Sequence, residues 1–177
     1  MPIGRQINRF SLRLPGDLAD VDGVIIPGGE STTIGKLAVQ YNLIEPLRKL
    51  AASHRAMWGT CAGLIFMARD VGRDQPLLGL MDIRVQRNAF GRQVDSFEAD
   101  LDVKGIDGGR PFHAIFIRAP LIESVGEGVE VLAKVDDAIV AARQANLMVT
   151  SFHPELSNDD RFHRFFLKLA EDAKHKA

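Results

Sequence analysis

The chain has little cysteine and no long apolar run. Its 177 residues include a single cysteine, Cys61, so no disulfide can form within the chain. A lone thiol is typical of a reducing compartment, and we therefore expect a cytoplasmic protein. No apolar run approaches the roughly 20 residues that span a bilayer, and the first residues lack the apolar core of a signal peptide. We expect no membrane partner.

The chain also lacks an excess of charge of either sign. Its 22 Lys and Arg residues nearly balance its 23 Asp and Glu residues, and the formal net charge is −1. The basic residues are spread along the sequence, whereas nucleic-acid-binding proteins usually concentrate them on one face. A nucleic-acid partner is therefore not expected.

Motifs that bind cofactors or metal ions are missing as well. The sequence has no G-x-G-x-x-G segment and no cluster of residues with metal-ligand spacing. Gly35-Lys36 suggests a phosphate-binding loop, but Glu30 stands where that loop needs its first glycine, and Leu37 stands where it needs Ser or Thr. We expect neither a cofactor nor a metal ion.

The hydrophobic pattern predicts a single α/β domain that spans residues 1–177, in which 1–11 stay unassigned. Short apolar or alternating segments predict strands at 21–26, 56–58, 81–86, 94–103, 113–118, 129–135, 138–142 and 147–152. Helical spacing predicts helices at 32–40, 43–52, from the Cys61 turn to about Arg69, and 159–174. This order favours a sheet with helices on both faces and an antiparallel extension.

Residues 59–63, Gly-Thr-Cys-Ala-Gly, have the pattern of a nucleophile elbow with Cys61 in place of serine. The sharp strand-to-helix turn holds the nucleophile in a strained conformation, and the N–H groups that begin the helix favour the thiolate. The backbone N–H of Ala62 would face a developing oxyanion. The alternative is a structural cysteine, since free cysteines are among the most buried residues.

A cysteine nucleophile requires a base, and His153 is the best placed of the five histidines. It ends an apolar strand, and active-site groups of open α/β sheets gather at the carboxyl ends of strands. Glu155 would accept the second imidazole N–H and hold the correct tautomer. Alternatively, His153 is a turn histidine beside an unrelated acid. The other histidines are expected to be surface or structural residues: His54, His113, His163 and His175.

A third segment, Pro-Gly-Gly-Glu-Ser-Thr at 27–32, follows the first predicted strand. Its two glycines permit unusual backbone dihedrals and the close approach of a ligand. Their N–H groups would suit a carboxylate or an oxyanion. Residues 31–33, Ser-Thr-Thr, predict the cap of the following helix.

Five segments together resemble the glutaminase subunits of pyridoxal 5′-phosphate synthase, a family of class I, triad-type glutamine amidotransferases. They are Pro-Gly-Gly-Glu-Ser-Thr-Thr (27–33), Gly-Thr-Cys-Ala-Gly (59–63), Arg-Asn-Ala-Phe-Gly-Arg-Gln (87–93), Phe-Ile-Arg-Ala-Pro (116–120) and Ser-Phe-His-Pro-Glu (151–155). The resemblance covers about residues 12–174. It implies a three-layer, flavodoxin-like sandwich with a mostly parallel central sheet.

The resemblance also implies the chemistry. Cys61 would attack the side-chain amide of glutamine, His153 would transfer the protons, and Glu155 would orient His153. The backbones of Gly29 and Ala62 would form the oxyanion hole. Residues that would hold glutamine are Gly29, Glu30, Ser31, Arg87, Ile117 and Arg118, with arginine suited to a carboxylate. The products would be glutamate and ammonia, and the ammonia would pass through a tunnel to the synthase subunit.

One feature departs from this family. Its members usually begin with an apolar strand that ends in Leu-Gln-Gly, followed by a helix and a second strand before the Pro-Gly-Gly segment. Here Leu12 to Pro27 resembles the end of that region, but the first strand with Leu-Gln-Gly and the helix are not found. The sequence is compatible with a misassigned start, a shortened variant, or replacement by residues 1–11. We expect a central strand to lose its neighbour and expose apolar surface.

Two alternatives to an active glutaminase therefore stay open. One is a synthase-binding subunit that is catalytically impaired or regulatory because its first strand and helix are lacking. The other is a stand-alone cysteine hydrolase or deglycase on a related fold. The segments at 87–93 and 116–120 disfavour this last hypothesis, because such a hydrolase would have little use for them.

Overall fold

The computed structural model describes residues 7–87, 96–106 and 108–174. The strands are β1 (Gly23–Ile26), β2 (Ala56–Thr60), β3 (Ala68–Asp70), β4 (Met81–Gln86), β5 (Ser96–Leu101), β6 (Phe112–Ile117), β7 (Leu121–Val125), β8 (Glu130–Val135), β9 (Ala138–Gln144) and β10 (Leu147–Thr150). The helices are α1 (Ser31–Gln40), α2 (Ile44–Ala52), α3 (Ala62–Met67) and α4 (Arg161–Lys174), and 3₁₀ turns form at Pro15–Leu18 and Pro154–Leu156.

A mixed sheet of eight strands organises the described residues. Its order is β1-β2-β10-β9-β7-β4-β3, and β8 pairs with β9 beside this path. β1, β2 and β10 are parallel, and β3 is parallel to β4, whereas the pairs between β10, β9, β7 and β4 are antiparallel. β5 and β6 form a separate antiparallel hairpin. The predicted α/β class with an antiparallel extension is confirmed.

Side chains alternate between the two faces of the sheet, and each face has its own core. In β2, Met57 joins one core and Trp58 joins the other. The first core packs α1, α2 and α3 against the sheet, and the second packs α4 and the β5–β6 hairpin against it. The last predicted helix is α4, and its buried apolar residues lie mainly in this second core, where Phe162 contacts Trp58. These layers give the predicted three-layer arrangement.

Several predicted bounds differ from the structure by a few residues, and two strands, β3 and β7, were not predicted. The spacing predicts a helix from Cys61 to about Arg69, but α3 ends at Met67 and the chain turns into β3, where Ala68 pairs with Met81 of β4. The sequence carries no sign of β7, because only Ile122 of its five residues is buried and no alternation results. The predicted strand at 94–103 is observed over Ser96–Leu101, and 94–95 lie outside the described residues.

Within the described ranges, β1 lies at the end of the sheet and pairs only with β2. Ile25 of β1 is an apolar residue with 43% of its surface exposed. In the same ranges, the longest helix is too short and too polar to cross a bilayer.

Candidate active site

Cys61 lies at the turn between β2 and α3 in a strained conformation. Its φ of 48° and ψ of −104° are unusual for a residue with a side chain. Its N–H donates to the Thr150 carbonyl at 2.8 Å, which fixes the turn against the end of β10. The Cys61 Sγ lies 3.9 Å from the carbonyl oxygen of Ile117, and the residue is only 8% exposed. The sequence-predicted elbow is thus present at the carboxyl end of two parallel strands.

The two glycines of this turn permit its close packing. A Cβ built on Gly59 would lie 2.6 Å from the carbonyl carbon of Gly63, and one built on Gly63 would overlap the carbonyl oxygen of Ile26. Real Cβ atoms do not approach backbone so closely, so both positions require glycine. The backbones of β1, β2 and α3 therefore meet directly beneath Cys61.

His153 and Glu155 meet just after β10. The imidazole Nδ1 lies 2.8 Å from Glu155 Oε1, and the backbone N–H of His153 donates to the Ile115 carbonyl of β6 at 2.9 Å. The His153 side chain is 14% exposed and that of Glu155 is 48% exposed. A hydrogen bond with Cys61, together with the one to Glu155, raises the pKa of His153 to about 9 despite partial burial.

Gly28 lies against His153 and Cys61, a contact that the sequence did not indicate. A Cβ built on Gly28 would lie 2.7 Å from His153 Cε1 and 3.5 Å from the Cβ of Cys61. The Pro-Gly-Gly segment at 27–29 therefore packs directly against the imidazole and the cysteine. A local sequence pattern carries no sign of this contact, because the partners are distant in the chain.

Glu30 caps α1 and stays ionised. Its carboxylate accepts from the N–H groups of Thr32 at 3.1 Å and Thr33 at 2.7 Å, and from both threonine hydroxyls. Hydrogen bonds from Thr32 and then Thr33 lower the pKa of Glu30 to about 2. The sequence predicted the cap among residues 31–33, and this was wrong: the acid before them is the cap, and their N–H and hydroxyl groups are its donors.

Arg87 joins the predicted glutamine-binding residues through a network of hydrogen bonds. Its Nη2 lies 3.2 Å from Glu30 Oε1, and its Nη1 donates to Gln75 Oε1 at 3.1 Å. The Gln75 amide nitrogen donates to the Ser31 hydroxyl at 3.4 Å. Gln75 was not predicted from the sequence, since nothing around it resembles a functional motif. The other residues of the 87–93 segment lie outside the described residues.

The remaining predicted residues lie at the end of β6, in the turn after β1 and at the start of α3. Ile117 ends β6 and is 37% exposed, and Arg118 follows it with a left-handed φ of 44°. Gly29 has a φ of 140°, a conformation that favours glycine, and Ala62 is the buried first residue of α3. Among the described residues, no group of three or more His, Cys, Asp or Glu side chains is arranged to hold a metal ion.

Two other histidines contact residues outside the Cys61, His153 and Glu155 group. His113 is exposed on β6 and sits between Asp100 and Glu98, with ring nitrogens 2.8 and 2.9 Å from their carboxylates. His163 packs edge-on against Trp58. His175 lies outside the described residues.

The fold is that of the class I glutamine amidotransferases. A solved structure described as a glutamine amidotransferase superposes with a TM-score of 0.89 at 48% identity, covering 93% of this chain and 87% of that one. A putative GMP synthase subunit from Thermoplasma acidophilum shares only the fold, with a TM-score of 0.64 at 16% identity over 91% of this chain and 78% of that chain.

Sequence comparison then gives the family. The chain belongs to the SNO glutamine amidotransferase family, whose model matches residues 6–172. It is 56% identical to the pyridoxal 5′-phosphate synthase subunit PdxT of Herpetosiphon aurantiacus, over 94% of this chain and 90% of the relative. It is 57% identical to the protein of the same name from Moorella thermoacetica, over 92% of this chain and 87% of the relative.

Proposed function

We propose that this chain is a glutaminase, a glutamine amidohydrolase that releases ammonia for a pyridoxal 5′-phosphate synthase subunit. The observation that carries the proposal is the convergence of three side chains at the carboxyl ends of β2 and β10. Cys61 stands in a strained turn, His153 is hydrogen-bonded to it with a pKa of about 9, and Glu155 lies 2.8 Å from the imidazole. Family membership and the name of its relatives support the substrate and the partner.

The geometry supports a cysteine mechanism that begins with proton transfer. The raised pKa of His153 favours an imidazolium at neutral pH, which holds the proton taken from the Cys61 thiol. The thiolate attacks the side-chain carbonyl carbon of glutamine, and the N–H groups of Gly29 and Ala62 receive the oxyanion. His153 then donates its proton to the leaving nitrogen, and ammonia departs. Water hydrolyses the γ-glutamyl thioester and releases glutamate.

The opposite charges of Arg87 and Glu30 suit the α-carboxylate and α-ammonium groups of glutamine. Arg87 offers N–H groups to the α-carboxylate. The ionised Glu30, 3.2 Å from Arg87, adds a negative charge that attracts the α-ammonium group. The Ser31 hydroxyl, the Ile117 backbone and Arg118 complete the proposed glutamine site. An amino acid with both charges would thus be distinguished from a simple amide.

The proposed reaction uses only side chains of this chain. Nucleophile, proton carrier and orienting acid are all present, so we propose that no cofactor or metal ion takes part, and pyridoxal 5′-phosphate is the product of the assembly. We further propose one glutaminase domain over 1–177, a cytoplasmic location in keeping with the single thiol, and no nucleic-acid or membrane partner.

The test is glutamate release from glutamine by the purified chain, with and without the synthase subunit. Activity that the synthase stimulates, and that Cys61→Ala abolishes in a folded protein, is the expected result. A folded wild-type chain that binds the synthase subunit but releases no glutamate would identify an impaired or regulatory subunit. Hydrolysis of other substrates, with glutamine inert, would identify a stand-alone cysteine hydrolase.

A further inference from the structure

The loop between β3 and β4 brings Gln75 into contact with two of the predicted glutamine-binding residues. We propose that Gln75 is a positioning residue that orients Arg87 and Ser31 for the α-carboxylate end of glutamine; this inference rests on the proposed function. Gln75 spans the two side chains, with its amide oxygen on Arg87 and its amide nitrogen on Ser31.

The chemistry of the contacts fixes the orientation of the amide. A guanidinium only donates hydrogen bonds, so the acceptor oxygen of Gln75 must face Arg87 Nη1, at 3.1 Å. The NH₂ group then faces the Ser31 hydroxyl at 3.4 Å, and that hydroxyl oxygen accepts. Ser31 is 1% exposed and begins α1, so one end of the bridge rests on a buried point of the fold.

Two described residues hold Arg87, one at each terminal nitrogen. Nη1 donates to Gln75 and Nη2 donates to Glu30, and each terminal nitrogen carries two N–H groups. Among the described residues, Gln75 and Glu30 are the acceptors of these nitrogens, which leaves one N–H on each for a bidentate carboxylate. The Arg87 side chain is 23% exposed, so the free donors remain accessible to a small ligand.

The backbone around Gln75 is anchored independently of the site. Arg48 of α2 donates from Nε to the Leu78 carbonyl at 2.9 Å and from Nη2 to the Leu77 carbonyl at 3.3 Å. On the other side, a Cβ built on Gly35 of α1 would lie 2.5 Å from the Pro76 carbonyl oxygen. Helices α1 and α2 thus hold the loop on both sides, and Gln75 reaches Arg87 from a fixed support.

An uncharged amide is the suitable group at this position. Arg87 already faces one carboxylate, that of Glu30. A second carboxylate at position 75 would compete with the α-carboxylate of glutamine for the same guanidinium. An amide orients the arginine by a hydrogen bond and leaves its charge for the substrate. A purely structural role of Gln75 would not predict this difference between an amide and a carboxylate. Comparing the two groups at position 75 therefore tests the inference.

The experiment compares Gln75→Met and Gln75→Glu with wild type in the complex with the synthase subunit. Gln75→Met keeps the length and removes the hydrogen bonds, and we expect a KM for glutamine raised about 5- to 20-fold with kcat within about twofold. Gln75→Glu should raise KM further. Gln40→Met and Gln40→Glu, at the exposed end of α1, are the matched controls and should leave both constants unchanged.

A direct binding measurement makes the result independent of turnover. The same Gln75 changes are placed in a Cys61→Ala chain, and glutamine binding in the complex is measured by calorimetry. The dissociation constant should rise by the same factor as KM. An unchanged KM and dissociation constant, or a loss of kcat at unchanged KM, would overturn the role of Gln75. Failure of the wild-type chain to release glutamate would instead overturn the proposed function, and the binding measurement would still decide on Gln75.

Discussion

The backbone of Gly63 in α3 lies directly against the carbonyl group of Ile26 at the end of β1, with no room for a side chain between them. Gly59 at the end of β2 is equally close to Gly63. The turn that carries Cys61 is therefore a packing junction between two strands and a helix. Its strained dihedrals are maintained because the surrounding backbone leaves no other arrangement.

Gly63→Ala should destabilise the fold and displace Cys61 at the same time. The added methyl group would overlap backbone rather than a flexible side chain, so we expect a loss of about 3 kcal/mol or more, at the upper end for overpacked cores. Denaturant unfolding checks the stability, and glutamate release checks the site. Gly16→Ala is the control, because a Cβ there meets nothing within 4 Å. Equal stability of the two variants would contradict this account of the turn.

The sequence predicted those parts of the fold whose signal is local. Helix α4 followed from an apolar stripe that includes Phe162 and Phe166, and β5 followed from the alternation of Phe97, Ala99 and Leu101 with polar residues. β3 and β7 were missed, because each is short and buries only one side chain, which is too few to produce a period. Both strands pair with β4, which is separated from them in the sequence, so a short stretch of sequence does not reveal the pairing.

The residues of the candidate site also fall into two groups, those that a local sequence pattern predicted and those that it did not. Cys61 and His153 were predicted from local patterns, a glycine-flanked turn and a strand end, and the structure brings both to one edge of the parallel strands. Gly28 and Gln75 were missed because each acts on a residue from another part of the chain. Glu30 was expected to bind the substrate, and only the structure shows that it also caps α1.

Gly28→Ala should impair catalysis more than stability. The new methyl group would overlap the His153 ring, which can rotate away, whereas its 3.5 Å distance to the Cys61 Cβ is an ordinary contact. A displaced imidazole no longer meets Cys61 and the leaving nitrogen, so we expect kcat to fall roughly 10²-fold. Steady-state kinetics with the synthase subunit and thermal unfolding are the measurements.

Gly23 is the matched control, because its replacement should impair stability more than catalysis. A Cβ on Gly23 would meet Phe166 at 2.9 Å and the Ala56 carbonyl at 3.0 Å, both away from Cys61. Gly23→Ala should therefore lower the unfolding temperature while the folded fraction keeps its kcat. If Gly28→Ala behaved like Gly23→Ala, Gly28 would have no special relation to His153.

Glu155→Gln should reduce the rate without removing the nucleophile. Glutamine at this position can present an N–H to His153 Nδ1, so the ring loses its orienting acceptor and its preferred tautomer. Since the Glu155 side chain is 48% exposed and water can partly replace it, we expect a loss of about 10²-fold rather than the roughly 10⁴-fold known for a buried acid. Alkylation of Cys61 by a glutamine-analogue reagent should persist. Near-normal turnover in Glu155→Gln would remove this residue from the proposed triad.

The raised pKa of His153 predicts how glutamine hydrolysis depends on pH. Hydrogen bonds with Cys61 and then Glu155 raise this pKa to about 9, so the imidazole stays protonated through the neutral range. The proposed reaction needs that proton for the leaving ammonia, and kcat/KM should therefore be level near neutrality and fall as the pH rises through about 9. In Glu155→Gln one of the causes is lost, and the alkaline decline should begin at lower pH.

The matched control for this profile is His113→Gln. The pKa of His113 is also raised, by hydrogen bonds with Asp100 and Glu98, but this residue is exposed on β6 and takes no part in the proposed reaction. Its replacement should leave the alkaline decline in place, and circular dichroism across the pH range separates titration from unfolding. A decline centred near pH 6.5, the ordinary value for histidine, would show that His153 is not held protonated by Cys61 and Glu155 in the working enzyme.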